Sequence, residues 1–336
     1  MPERPLALFA MSAETLPHAF PPDVLARLRA SVDIDPGLIA DGGFDDPAVR
    51  TVLAEAEVLI TGWGCPAIDA SVLDAAPKLR AVLHAAGSVK STIAPGLWDR
   101  GLVVSSAADA NALPVAEYTL GMIMLVGKDL LTARERYRTL RTFPLAEIVP
   151  GIGNFRRRIG IVGASRIGRR VIELLRPFDF DVSLADPYVD EAEAAALGVR
   201  LLPLGELLAG SDIVSVHAPA TDETRHLIGA AELALMPDGS VLINTARGSL
   251  VDTDALVAEL RTGRLKAVLD VTDPEPLPAD SPLFDLPGAF ITPHLAGSQG
   301  NEVQRLGLCV VEELERLLAG RPLSHQVDPA ALERAA

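Results

Sequence analysis

Two cysteines, Cys65 and Cys309, are all the thiol in this 336-residue chain, and they stand in unrelated contexts. That scarcity excludes a disulfide framework and a cysteine-based metal centre, so no metal is expected and both thiols read as buried groups in a reducing cytoplasm. Positive charge is short as well: 30 Lys and Arg face 45 Asp and Glu, a formal charge of −15. Phosphate backbones require a concentrated positive field, so no nucleic-acid partner is expected. Long apolar runs are missing too. Residues 6–11 are too short for a signal sequence, and residues 121–126 are too short to cross a bilayer before Lys128. Repeats and low-complexity tracts are not evident, and a soluble protein with no membrane partner is expected.

What is present is apolar content for two cores. The length exceeds that of a usual single core, and about half the residues are hydrophobic (49%). Short apolar runs at residues 6–11, 58–61, 79–84 and 102–104 alternate with helical patterns at 22–30 and 47–56, which implies a parallel βα sheet. Residues 110–141 are almost free of breakers, with Pro114 near the start, and read as one long helix crossing between domains. Its end is basic through Arg134, Arg136, Arg138 and Arg141, which favours a solvated face over a subunit contact. A second series follows, with six strands expected at 158–162, 181–185, 213–216, 240–244, 266–271 and 290–292, as in a doubly wound dinucleotide fold. The stretch 302–319 reads as a closing helix that returns to the first domain, stopped by Gly320 and Pro322.

Four short motifs carry the chemistry. The turn from Gly163 through Ser165 to Gly168 follows a strand and opens the helix Arg166–Leu175, so free N–H groups and the helix dipole can hold a pyrophosphate. Its middle position is Ser165 where the nucleotide-binding pattern has glycine. At the end of the next strand, 23 residues after Gly163, Asp186 can accept ribose hydroxyls and would repel the extra phosphate of NADP, which favours NAD. Arg247, after another strand, has the planar fork that suits a carboxylate. Glu275 lies 28 residues on and His294 another 19, each just after an expected strand and beside prolines. Held and charged by Glu275, His294 reads as a general acid–base.

The segments Gly160 to Gly168, Asp212 to Pro219, Asn244 to Gly248, Leu269 to Val271, Pro274 to Pro276 and Thr292 to His294, with Val115-Ala116-Glu117, closely resemble the D-isomer-specific 2-hydroxyacid dehydrogenase family. The resemblance implies an α/β protein of two doubly wound parallel-sheet domains, a Rossmann cofactor domain inserted into a flavodoxin-like substrate domain. On that plan the substrate domain takes residues 1–108, the NAD domain 109–300, and a C-terminal helix and tail 301–336. It also implies a homodimer formed through the cofactor domains.

By the same resemblance Arg247 orients the substrate, His294 gives or takes the proton and Glu275 is its partner. Gly163, Ser165, Arg166, Ile167 and Gly168 would meet the pyrophosphate, and Asp186 the ribose. Ala218, Pro219 and Thr224 would line the dinucleotide channel, with Thr245, Ala246, Asp270 and Gly297 near the nicotinamide. The loop Ala86, Gly87 and Ser88 looks like the one whose amides hold the substrate carboxylate, but the family's usual Asp there is absent. The implied reaction interconverts a D-2-hydroxyacid and its 2-oxoacid, of glyoxylate/hydroxypyruvate or phosphoglycerate type. A formate dehydrogenase fits less well, because that branch has Gln where Glu275 stands. The alternative from another class is a non-enzymatic NAD-sensing protein of the corepressor type.

Overall fold

The computed structural model describes residues 4–90, 92–94, 98–143 and 151–332. It divides into two compact units, Met1–Ala112 with Ser298–Ala335, and Leu113–Gly297.

The first unit is built on four parallel strands, β1 (Ala7–Ala10), β2 (Val58–Thr61), β3 (Ala81–His84) and β4 (Val103–Ser106), in spatial order β1-β2-β3-β4. Strand residues alternate between two cores, as a period of two requires. Ala7 and Phe9 join Leu306, Val310 and Leu314 of the helix Gln304–Leu318 on one face, while Leu8 and Ala10 join Leu53 and Val72 on the other. Burial on both faces explains why these strands read as unbroken apolar runs. Gly307 is required where the closing helix crosses the helix Leu16–Ala19, since a Cβ there would fall 1.8 Å from the Ala19 carbonyl oxygen. Beyond β1, Leu6 and Phe9 form single parallel bridges with Asp33 and Ile39, so a fifth chain segment lies along that edge.

The second unit is a seven-stranded parallel sheet. Its strands are β5 (Arg158–Val162), β6 (Asp181–Ala185), β7 (Arg200–Leu201), β8 (Ile213–Val216), β9 (Val241–Asn244), β10 (Lys266–Leu269) and β11 (Ala289–Ile291), in order β11-β10-β9-β8-β5-β6-β7. The chain winds outward in both directions from the β5–β8 pair, which makes that pair the topological switch point where such sheets bind ligands. Six strands were expected; the seventh, β7, has two residues and no apolar run to announce it.

The single helix expected over 110–141 is two helices, Ala108–Gly127 and Leu130–Leu140. The break has a tertiary cause. Asn154 donates from Nδ2 to the Met124 carbonyl, Gly153 N–H donates to the Gly127 carbonyl, and a Cβ on Gly127 would overlap the Asn154 side chain. Asp129 then turns left-handed (φ 50°) and pairs with Lys266 at 2.5 Å. The run at 121–126 therefore belongs to a 20-residue helix that is long and apolar enough, by length and composition, to cross a membrane. Ala116, Ile123 and Val126 of that helix instead pack into the core of the second unit.

Candidate functional site

Strands β9, β10 and β11 are neighbours, and Arg247, Glu275 and His294 each follow one of them closely. Topology alone therefore gathers the three side chains along one carboxyl edge, on strands about 4.8 Å apart. Asn244 shapes the first turn: its Nδ2 donates to the Arg247 carbonyl at 2.8 Å and its Oδ1 accepts from Ala246 N–H at 3.0 Å. Gly248 lets this turn touch the next loop, because a Cβ would lie 1.9 Å from the Thr272 carbonyl carbon. The guanidinium of Arg247 is exposed and donates through Nη1 to the Ala246 carbonyl, which leaves most of its five donors for a ligand.

His294 Nδ1 lies 2.5 Å from Glu275 Oε1. A carboxylate can only accept there, so Nδ1 carries the hydrogen and Nε2 is the atom left to exchange a proton. Glu275 stands between two cis peptide bonds, Asp273–Pro274 and Glu275–Pro276. His294 itself is left-handed (φ 52°), and its N–H is held by the carbonyls of Asp270 and Thr292 at 2.9 and 3.0 Å. Behind it, the Asp270 carboxylate is 2% exposed and accepts from Thr292 Oγ1, Leu295 N–H and Ala296 N–H. A pocket of about 560 Å³ opens beside the pair, lined by Asp270, Thr272, Glu275, Thr292, Pro293 and His294 among others.

The nucleotide half sits at the switch point. Gly163 (φ 97°) meets the chain after β8 so closely that a Cβ would lie 2.5 Å from Ala218 N, and one on Gly168 would lie 2.1 Å from the Gly163 carbonyl oxygen. Backbone amides are thereby brought to the open end of the sheet. Ser165 caps the helix Arg166–Leu175, its Oγ accepting from Gly168 N–H at 3.3 Å, and leaves the Arg166 and Ile167 amides at the helix start. Asp186 accepts from Ala164 N–H at 2.7 Å and Tyr188 N–H at 2.8 Å, which ties the acid at the end of β6 to the glycine turn. These features fit an adenine dinucleotide, with a carboxylate held at the ribose position. Thr224 Oγ1 donates to the Pro219 carbonyl and closes the turn after Ala218, while Thr245 Oγ1 is buried against Thr119 Oγ1. Gly297 ends the second unit.

In the first unit, the loop after β3 carries Ala86, Gly87 and Ser88. Among the described residues no acceptor takes a hydrogen bond from their three amides, so they remain available to an anion. Buried His84 braces the loop through Thr61 Oγ1 at 2.8 Å and a backbone hydrogen bond with Ser88. Asn111, which sequence reasoning missed, lies next to the loop: a Cβ on Gly87 would be 3.5 Å from its Nδ2, while its Oδ1 accepts from Ser298 N–H.

Burial lowers the His84 imidazole to about 4 and fully buried His217, beside Gly163, to about 3. Unfolded, both would take up protons below the ordinary value near 6.5, whereas folded they resist until far lower pH. Stability present above pH 6.5 is therefore lost as pH falls toward 4, by about 2 kcal/mol per histidine at about pH 5. Urea unfolding at about pH 7.5 and about pH 5 checks this: each unit is expected to weaken, and equal stability at both would contradict neutral burial of the imidazoles.

The second unit matches a family model, "D-isomer specific 2-hydroxyacid dehydrogenase, NAD binding domain", over residues 120–296. The chain belongs to the D-isomer specific 2-hydroxyacid dehydrogenase family. This family member is 36% identical over 283 residues to a D-3-phosphoglycerate dehydrogenase of Mycobacterium bovis, covering 83% of the chain and 52% of that protein. It is 34% identical over 251 residues to a glyoxylate reductase of Korarchaeum cryptofilum, covering 74% and 75% respectively. Its fold is similar to the crystal structure of a phosphoglycerate oxidoreductase from Rhizobium etli, with a TM-score of 0.83, 25% identity, and coverage of 98% and 100%. The chain spans about half the length of the curated phosphoglycerate dehydrogenases it matches, 52% of the one from Mycobacterium bovis. The family, the fold class and the nicotinamide dinucleotide cofactor expected from the motifs are borne out.

Proposed function

We propose that this 2-hydroxyacid dehydrogenase family member is an NAD-dependent oxidoreductase that interconverts a small D-2-hydroxyacid and its 2-oxoacid, of the glyoxylate/hydroxypyruvate or phosphoglycerate type. The carrying observation is the 2.5 Å contact of Glu275 with His294 Nδ1, on the sheet edge that also bears Arg247. The cofactor supplies or accepts a hydride when bound. Gly163, Arg166, Ile167 and Gly168 would hold its phosphates and Asp186 its ribose, and Thr245, Ala246, Asp270 and Gly297 would serve the nicotinamide half.

In reduction His294 Nε2 gives its proton to the oxygen on C2, and in oxidation it takes that proton back. Arg247 holds the substrate carboxylate through its fork and faces the negative charge that grows on the oxygen, so it stabilises the transition state more than the ground state. Glu275 fixes the imidazole ring and its tautomer by accepting the Nδ1 hydrogen. The amides of Ala86, Gly87 and Ser88, which find no acceptor among the described residues, support a carboxylate-binding role for that loop. The test is NADH oxidation with glyoxylate, hydroxypyruvate, pyruvate and phosphohydroxypyruvate. Turnover of at least one is expected; NADH bound but never oxidised would favour the corepressor-type alternative.

Cofactor choice follows from Asp186, whose charge accepts ribose hydroxyls and repels a 2′-phosphate. The wild-type protein is expected to bind NADH more tightly than NADPH, and Asp186→Ala to narrow the gap. Equal affinities in the wild type would overturn the assignment.

Two chains are expected to associate through the second unit. The helix Leu130–Leu140 buries none of its residues, and Tyr137, Leu140, Phe143 and Phe155 are exposed on the same unit. A groove of about 990 Å³ lies between this helix and the β10–β11 edge, with Leu131, Leu140, Leu286 and Phe290 in its lining. Light scattering is expected to return a homodimer of 35.5 kDa chains; a single chain at micromolar concentration, with and without NADH, would speak against it. Cys65 and Cys309 are both free, with burial raising each thiol to about 12, which suits a reducing cytoplasm.

A further inference from the structure

The proton-transfer residue His294 occupies a backbone conformation that a side chain rarely adopts, with φ at 52°. Something must hold it there. Its amide is pinned by the carbonyls of Asp270 and Thr292, and the two amides that follow, Leu295 and Ala296, both donate to the Asp270 carboxylate at 2.9 Å. The third donor to that carboxylate is Thr292 Oγ1, at 2.6 Å. A hydroxyl has one hydrogen. Because Thr292 spends its hydrogen on a carboxylate that can only accept, the contact at 2.8 Å between Thr292 Oγ1 and Tyr118 OH must run the other way, with the phenol donating.

The direction of the chain is thus fixed: Tyr118 O–H to Thr292 Oγ1, Thr292 O–H to Asp270, with Asp270 also taking the amides on the far side of His294. Tyr118 sits in the middle of the apolar helix Ala108–Gly127, so the network fastens the His294 loop to an element that is itself packed in the core. Burial, opposed by the bond to Thr292, raises the Tyr118 phenol, and the nearby Asp270 charge raises it further, which keeps it protonated as a donor through neutral pH. Asp270 is buried at 2% exposure, and a buried carboxylate deprived of one donor is strongly disfavoured.

We propose that Tyr118 and Thr292 are positioning residues that hold His294 in register for proton transfer, acting through the buried carboxylate of Asp270. This rests on the proposed acid–base role of His294. Neither side chain is given a part in the proton transfer itself, and Asp270 acquires a duty separate from contact with the cofactor.

The test uses the full chain in three variants, Tyr118→Phe, Thr292→Val and Thr292→Ser, with two readouts. Thr292→Val removes the donor to Asp270 and the acceptor of Tyr118 together, and is expected to lower kcat about tenfold or more. KM for the 2-oxoacid is expected to stay within about twofold, because the proposed anion-holding Arg247 is untouched. Tyr118→Phe removes only the outer bond and is expected to give a smaller loss, about threefold. Thr292→Ser keeps the hydroxyl and is expected to recover most of the wild-type kcat. The second readout needs no turnover: in Thr292→Val the Leu295 and Ala296 amides are expected to exchange their hydrogens about tenfold faster than in the wild type, with protection elsewhere in the second unit unchanged.

Wild-type exchange at these two amides in Thr292→Val overturns the proposal. So does a kcat within twofold of wild type, or a loss that Thr292→Ser fails to recover. If the wild-type protein reduces no 2-oxoacid, the acid–base reading of His294 falls, and the exchange measurement still judges whether Tyr118 and Thr292 hold the loop.

Discussion

His294→Ala is expected to lower turnover by about 10²–10⁴-fold while NADH binding stays nearly intact. The imidazole is half exposed, and among the described residues its one strong contact is with Glu275, so removing it takes away the Nε2 proposed to exchange the proton without opening a core. The residues proposed for the phosphates and the adenosine ribose lie around β5 and β6, on other strands of the same sheet, which is why cofactor affinity is expected to separate from turnover. Stopped-flow reduction of a 2-oxoacid, paired with NADH fluorescence titration, reads both quantities. Wild-type turnover in the alanine variant across neutral pH would show that another group supplies the proton, even with fold and cofactor unchanged.

Arg247→Ala is expected to lower kcat/KM by roughly 10²-fold or more, the scale on which an unpaired carboxylate is penalised when its charged partner is removed. Both KM and kcat are expected to suffer, because the guanidinium is proposed to hold the carboxylate in the ground state and to meet growing charge in the transition state. Arg247→Lys is expected to recover only part of the loss: a lysine restores the charge but not the fork, and the Asn244 clamp on the Arg247 carbonyl aims the side chain without changing its chemistry. Steady-state kinetics of the two variants decide the matter. An alanine variant with unchanged KM and kcat would remove Arg247 from the site.

What the sequence disclosed follows a physical divide. Strands buried on both faces appear as apolar runs, and β2 (Val58–Thr61), β5 (Arg158–Val162) and β8 (Ile213–Val216) have the bounds read from the residues. The helix Arg166–Leu175 was equally legible, because a glycine turn and a serine cap mark its start. The break at Gly127 to Asp129 was not, since its causes are Asn154 and Lys266, remote in sequence. Two-residue β7 has no pattern to read. At the candidate site, Arg247, Glu275 and His294 could be singled out by residue type and strand-end position. The organisation behind them was hidden: nothing local to Tyr118 announces a bond to Thr292, 174 residues away, and Asp270 in sequence is simply an acid after a strand. Asn111 was missed for the same reason, because its neighbour Gly87 comes from a different strand end.

The most direct measurement supplies NADH carrying deuterium at the transferable position together with a 2-oxoacid, and follows the label by mass spectrometry and chiral chromatography. The account predicts one deuterium at C2 of a D-2-hydroxyacid for each NADH consumed, with the label lost from the product in His294→Ala at matched times. Bound NADH that keeps its deuterium with every 2-oxoacid offered, or label appearing in an L-hydroxyacid, would contradict it.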